Sequence, residues 1–265
     1  MSKHLLIIDP QNDFCHPSGA LYVEGAENDM TRLAAYIIKN LESIDNITVS
    51  LDSHHPMHIA HPIWWVNEAG EHPKPFTIIT KDDVENGVWK AKLNSQVEYS
   101  KEYVNKLDEQ GNYALCIWPP HCLIGSEGHS VYKPLFDALV MWENKNKRVV
   151  SYLHKGDELK TESYSVFNPE VATEESRNLW DFVESEIYPE DEVIVAGEAS
   201  SHCVKSSVED LVKFCTNLDK DWVNRLTLLT DCMSPVGGLD LFKENADKFI
   251  KNVEALGGKL IKSTD

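Results

Sequence analysis

The chain has 265 residues, 42% of them hydrophobic, and carries 43 acidic against 25 basic side chains, a formal net charge of −18. That is enough apolar material for a packed core and excludes a disordered chain, while the lack of a basic footprint argues against binding nucleic acid or an anionic membrane surface. No apolar run approaches the ~20 residues of a membrane span, and MSKHLLIIDP is too weakly apolar for a secretory leader, so a cytoplasmic protein with reduced cysteines is expected.

In chain order, HLLIID (4–9), ITVSLD (47–52), RVVSYLH (148–154), EVIVAG (192–197) and RLTLLTD (225–231) read as short strands. Fully apolar runs such as IVA suit a sheet buried on both faces, which means a parallel one. Between them, ENDMTRLAAYIIKNLESI (27–44) sets Met30, Leu33, Ala34, Ile37, Ile38 and Leu41 on one helical stripe. SSVEDLVKFCTNL (206–218) and KENADKFIKNVEAL (243–256) do the same, and GGKLIKS (257–263) is a last strand or a tail. This alternation predicts an α/β fold with a mainly parallel sheet, taken as a single domain over 1–265. Residues 55–120, rich in His, Pro, Trp and charge, break the alternation and read as a long loop or small subdomain. Ligands in such folds bind at the carboxyl ends of strands, where Asp9, Asp52, His54, Lys155 and Glu198 fall.

Chemistry-bearing side chains gather at those ends. Asp9 closes the first strand in IIDPQNDFCHPSGAL, where turn formation is the competing explanation. In SLDSHHPMHIAHP, Asp52 and His54 stand two apart, on the same side of an extended chain. With His121, presented behind Pro119-Pro120, they have the donor types for a divalent ion such as Zn²⁺, Fe²⁺ or Mn²⁺. Lys155 lies at a strand end, where a surface lysine is the plain alternative. Cys203 opens a helix, whose dipole and free N–H groups stabilise a thiolate or hold an oxyanion. The remaining cysteines read as small buried hydrophobes.

Together these segments resemble the isochorismatase-like cysteine hydrolases, most closely the nicotinamidase/pyrazinamidase branch. DPQNDF resembles the D-x-Q-N-D-F opening, and LDSHH the D-x-H metal pair. WPPHCLIGSEG is similar to W-P-x-H-C-x-x-G-T-x-G, with Ser126 in place of the usual Thr. HKGDELKTESYSVF resembles K-G…E-x-Y-S-x-F, and GEASSHCV the segment around the nucleophile. The likeness spans residues 4–240.

The resemblance implies a central sheet of about six strands in a three-layer arrangement. It implies a triad of Asp9, Lys155 and Cys203, and an oxyanion hole from the backbone N–H groups of Ala199 and Cys203 behind a cis Glu198–Ala199 bond. One divalent ion, Zn²⁺ first and Fe²⁺ or Mn²⁺ next, would sit on Asp52, His54 and His121, with His58 or His61 as an undecided additional ligand. Phe14 and Trp118 would wall a flat ring. The implied reaction turns nicotinamide into nicotinate and ammonia through a cysteine thioester, with a small amide as the only partner beyond a homo-oligomer, which is left open. Residues 62–117 form a longer insertion than compact nicotinamidases carry, so another small amide or carbamoyl substrate is the alternative. A metal-free isochorismatase-type hydrolase and a non-catalytic binding protein are further alternatives, weakened by the D-x-H pair and the complete triad. His202, beside Cys203, receives no role.

Overall fold

The computed structural model describes residues 2–174, 176–187 and 192–265. Six strands form one sheet: β1 (Lys3–Ile8), β2 (Asn46–Asp52), β3 (Ser151–Lys155), β4 (Glu192–Gly197), β5 (Leu226–Leu229) and β6 (Lys259–Ile261). Every pairing is parallel, in the order β6-β5-β4-β1-β2-β3. The central strands are buried along nearly their whole length, which explains their uninterrupted apolar runs. GGKLIKS supplies the sixth strand.

Five longer helices accompany the sheet: α1 (Ala26–Lys39), α2 (Val97–Gln110), α3 (Lys133–Asn146), α4 (Cys203–Leu218) and α5 (Asp240–Ala255). The crossovers β1–β2–β3 run one way across the sheet and β4–β5–β6 the other. Right-handed connections therefore put α1 and α3, which pack on each other, on one face and α4 and α5 on the opposite face. The direction reverses between β1 and β4, and ligand sites in open α/β sheets form at such a switch point. No helix among the described residues is long and apolar enough to cross a membrane, and all six cysteines are buried and free.

Several element boundaries differ from the periodicity. α1 stops at Lys39, before the expected 44, because Asn40 turns the chain and bonds its side chain back to the Tyr36 carbonyl at 2.9 Å. The periodic segment 206–218 extends back to Cys203, which opens α4 as expected, with His202 at the cap position making no side-chain cap. The structure adds α2 and α3, outside the elements read above. Leu135, Ala138, Leu139 and Trp142 are the buried face of α3, at i, i+3, i+4 and i+7.

The 62–117 insertion is ordered. Trp65–Val66 pairs antiparallel with Lys90–Ala91, and Ile78–Ile79 with Leu115–Cys116. Trp64 and Trp65 are buried and anchor it, donating to Ser100 Oγ at 3.0 Å and the Ile59 carbonyl at 2.7 Å. Its last segment returns alongside the sheet, where the Trp118 N–H meets the Ala60 carbonyl at 2.8 Å.

The closest backbone approach is at the switch point itself. Gly197 sits at φ +120°, and an added Cβ would lie 2.1 Å from the Ile8 carbonyl oxygen. Gly197→Ala must push β4 off β1. We expect a loss of about 2–4 kcal/mol in urea unfolding; stability within error of wild type would show that the two strands can separate freely.

Candidate active site

Asp52 and Lys155 are direct register partners on β2 and β3, and Asp9 leaves the neighbouring β1. This places the Lys155 ammonium 3.0 Å from Asp9 Oδ2 and 3.0 Å from Asp52 Oδ1. The same nitrogen lies 2.8 Å from the Ser163 carbonyl and 3.5 Å from Cys203 Sγ. The lysine side chain is 3% exposed, so the plain surface reading of Lys155 does not hold. Burial works against its charge, but Asp52, Asp9 and Cys203 hold its pKa well above the ordinary value.

Asp9 adopts φ +44°, a left-handed conformation that Asp tolerates better than most residues. Its N–H and its Oδ1 both meet Ser50 Oγ, at 3.0 and 2.5 Å. Oδ2 is buried and, apart from the lysine ion pair, has no hydrogen-bond partner among the described residues. Burial raises the Asp9 pKa, opposed by Lys155 and the Ser50 hydroxyl.

Residues without chemistry of their own hold this cluster. Gln11 grips the Asp52 backbone with both ends of its amide: Nε2 donates to the Asp52 carbonyl and Oε1 accepts the Asp52 N–H, both at 2.7 Å. Asp13 Oδ2 accepts the Cys122 N–H at 2.6 Å, tying the 121–130 loop to the start of the chain. An added Cβ at Gly156 (φ +79°) would fall 2.6 Å from Asp52 Oδ1 and 2.8 Å from His54 Cε1. The sequence reading assigned no role to Gln11, Ser50 or Gly156. Ser50 carried a signal, a polar residue in a buried strand in step with Asp52 and His54.

The other carboxylate oxygen of Asp52 faces two imidazoles, His54 Nε2 at 3.0 Å and His121 Nε2 at 3.2 Å. Asp52, His54 and His121 form one group of ligand-type atoms lying within 4.8 Å of one another, and His54, His58 and His61 form another. His121 Nδ1 lies 2.8 Å from the Pro119 carbonyl, which can only accept, so Nδ1 carries hydrogen. In a neutral ring the Nε2 lone pair then faces a carboxylate oxygen, an arrangement that calls for a cation between them. His61 is alike: Nδ1 donates to the Pro56 carbonyl at 3.1 Å, and Nε2 is buried with no hydrogen-bond partner among the described residues, as is His54 Nδ1. Burial, with His54 and His121 nearby, pushes the His61 pKa down to about 3, leaving it neutral. His58 differs, because both its nitrogens are used: Nε2 donates to the Thr161 carbonyl at 3.0 Å and Nδ1 accepts the Ala60 N–H at 3.2 Å. These donor types, buried and partly unpartnered, fit a divalent metal.

Cys203 is the first residue of α4. Burial pushes its thiol well above the usual range, Lys155 pulls it back, and Asp9 and Asp52 push it up. The helix start therefore does not by itself leave a resting thiolate, contrary to the simple reading of its position. The Glu198–Ala199 peptide is cis, and neither the Ala199 nor the Cys203 N–H has an acceptor among the described residues. Beside the sulfur lies a small cleft walled by Phe14, Leu21, Trp118, Glu162, Tyr164 and Val236. His202 is packed among Tyr113, Trp118, Tyr164 and Phe242, and burial pushes its pKa down to about 3. A larger groove lined by Tyr99, Tyr103 and Glu158 includes neither Asp9, Lys155 nor Cys203.

No protein-family model matches the chain. The nicotinamidase of Escherichia coli (strain K12) is 24% identical over 211 residues, 80% of this chain and 76% of that protein. The yeast nicotinamidase, solved also with the inhibitor nicotinaldehyde bound, superimposes with a TM-score of 0.67 at 19% identity, over 98% of this chain and 99% of that one. The pyrazinamidase of Pyrococcus horikoshii, solved in complex with zinc, gives 0.56 at 18% identity over 99% of both chains. The architecture is thus the isochorismatase-like α/β fold, with a six-stranded parallel sheet flanked by helices. Within that class, the chain's likeness is to the nicotinamidases and pyrazinamidases.

Lys155→Met leaves Asp9 and Asp52 buried without their ammonium, and we expect about 3–5 kcal/mol of lost stability at neutral pH in chelator-treated protein. Burial already raises the folded pKa of Asp9, and without the ammonium it rises further, so Asp9 binds more protons folded than unfolded; its penalty shrinks as pH falls through that raised value and vanishes below about 4. Urea unfolding at neutral and acid pH checks this; an equal penalty at both would rule out the charge explanation.

Proposed function

We propose that the chain is a metal-containing cysteine amidohydrolase that converts nicotinamide to nicotinate and ammonia. The observation that carries this reading is the single ammonium of Lys155 joining Asp9 at 3.0 Å to Cys203 Sγ at 3.5 Å on the floor of an aromatic cleft. The likeness to nicotinamidases supports it. The whole chain, 1–265, is read as one hydrolase domain with 62–117 inserted in it, and its free, buried cysteines fit a reducing cytoplasm.

In this reading Asp9 is the general base. Burial brings its pKa upward, toward that of the proton it must take, and makes it a stronger base than a solvated carboxylate. Oδ2 takes the Cys203 proton as sulfur attacks the amide carbonyl, and Lys155 stabilises the negative charge that moves between the two. The Ala199 and Cys203 N–H groups receive the carbonyl oxygen as it becomes an oxyanion; one such donor is worth about 3–4 kcal/mol. Collapse breaks the C–N bond, with Asp9 returning its proton to the leaving nitrogen so that ammonia departs and a thioester remains. Asp9 then takes a proton from water as the water attacks the thioester, and carboxylic acid and thiol are released. Phe14 and Trp118 hold the ring between apolar walls.

Asp52, His54 and His121 would hold the metal, with His61 as the additional ligand. The bare, buried His61 Nε2 supports His61 over His58, whose nitrogens are both occupied. A metal bound there, with zinc the first candidate, would supply an electrophilic anchor for the pyridine nitrogen and so position the ring.

Ammonia release from nicotinamide, pyrazinamide and a set of aliphatic amides tests the substrate class. Cys203→Ala should abolish turnover with the fold intact by circular dichroism; near-normal ammonia release from it would refute the mechanism. Metal analysis should find about one divalent ion per chain, lost in His121→Ala and in His61→Ala but kept in His58→Ala. A wild type fully active without metal would refute the metal assignment.

A further inference from the structure

A buried carboxyl pair lies directly behind the oxyanion loop. Glu198 follows β4, is 0% exposed, and is bonded through its own carbonyl to Ala199. Its N–H donates to the Ile8 carbonyl at 2.8 Å, and its Oε2 accepts the Ser234 N–H at 3.1 Å. Its Oε1 is buried and receives no donor among the described residues. The carboxyl it meets is Asp29 of α1, itself 3% exposed. Asp29 Oδ2 accepts the Ser234 hydroxyl at 2.6 Å, and Oδ1 accepts the Arg32 guanidinium.

The charge count does not balance with both carboxyls ionised. Among the described residues, Arg32 is the one cation at the pair. It also donates Nε to the Asp231 carbonyl at 2.6 Å and lies 3.9 Å from the Asp231 carboxylate. Two buried anions in contact, sharing a divided arginine, carry a large desolvation and repulsion cost. A single proton on Glu198 Oε1 removes one charge and turns the orphaned oxygen into a donor to Asp29.

We propose that Glu198 is held protonated and, by donating to Asp29, acts as a positioning residue that fixes the Ala199 N–H against α1. The role given to Ala199 rests on the amidohydrolase reading. Burial and the Asp29 carboxylate push Glu198 well above the usual carboxylate range. Both Asp29 oxygens already accept hydrogen bonds while Glu198 Oε1 accepts none among the described residues, which puts the proton on Glu198. Cys15, the other titratable group facing Glu198, is kept a neutral thiol by burial and adds no charge. The tether links the oxyanion loop to α1 and to the loop after β5, so the donor is set by packed elements on either side of the switch point.

Two variants separate positioning from bulk stability. Glu198→Gln keeps a donor for Asp29 and an acceptor for the Ser234 N–H, whereas Glu198→Ala removes both. Infrared spectra of the resting protein should show a protonated-carboxyl band that shifts in heavy water and is missing from Glu198→Gln. On the amide that wild type hydrolyses best, Glu198→Gln should keep its kcat, and Glu198→Ala should lose about 100-fold in kcat with KM unchanged, the scale of a small misplacement of a reacting group. No such band in wild type, or a kcat for Glu198→Gln as low as for Glu198→Ala, overturns the proposal. Should Glu198→Ala not fold, the band and the Glu198→Gln kinetics decide. A wild type that shows the band but hydrolyses no amide overturns the amidohydrolase reading while supporting the protonated pair.

Discussion

A buried ammonium is tolerated only where anions and acceptors surround it, and Lys155 is such a case. Its neighbours come from the ends of β1 and β2, the segment after β3 and the start of α4, so the cluster forms only when β1, β2, β3 and β4 are all in register. Asp52 divides its two oxygens between the lysine and the imidazoles of His54 and His121. The ligand cluster and the thiol are therefore one electrostatic unit. A cation placed among the imidazoles draws charge from Asp52, weakens its hold on Lys155, and leaves more of the ammonium's field for Asp9 and Cys203.

The rest of the structure serves to keep that unit small and dry. Gln11, Asp13, Gly156 and Gly197 take no part in chemistry, yet each governs a distance within or beside it. Gln11 fixes the backbone of Asp52, and Gly156 leaves room for its carboxylate. Gly197 lets β4 close on β1, so that the loop carrying Ala199 and Cys203 arrives beside Asp9. The glycines have a common cause: the backbone comes so near its neighbours that a single methyl group would intrude.

Much of the fold was legible in the sequence because strands and helices follow short periods, whereas the triad and the ligand set were implied by the resemblance of scattered motifs to a known family. Buried parallel strands show as apolar runs, and the alternation of Ser50, Asp52 and His54 carries one face of β2 into the cluster. What escaped depends on contacts between distant segments. The grip of Gln11 on Asp52 links positions far apart in the chain. The distinction between His58 and His61 rests on which nitrogens are taken by the Pro56 and Thr161 carbonyls and the Ala60 N–H, which no spacing reveals. α3 carries a clear apolar stripe at helical spacing.

The thiol shows most directly why position alone misleads. A helix start and a neighbouring lysine both favour a thiolate, but burial, with Asp9 and Asp52, pushes the Cys203 thiol well above its usual range. The same burial raises Asp9, so desolvation acts on donor and acceptor of the same proton. For a carboxylate in water the transfer from a thiol is steeply uphill, since their pKa values differ by about 4–5 units. Burial raises both groups and so does not by itself close that gap; in the proposed mechanism Lys155, beside both, stabilises whichever one bears the charge. The transfer then requires no free thiolate, only that sulfur attack as its proton leaves, which ties proton removal to the presence of a carbonyl in the cleft.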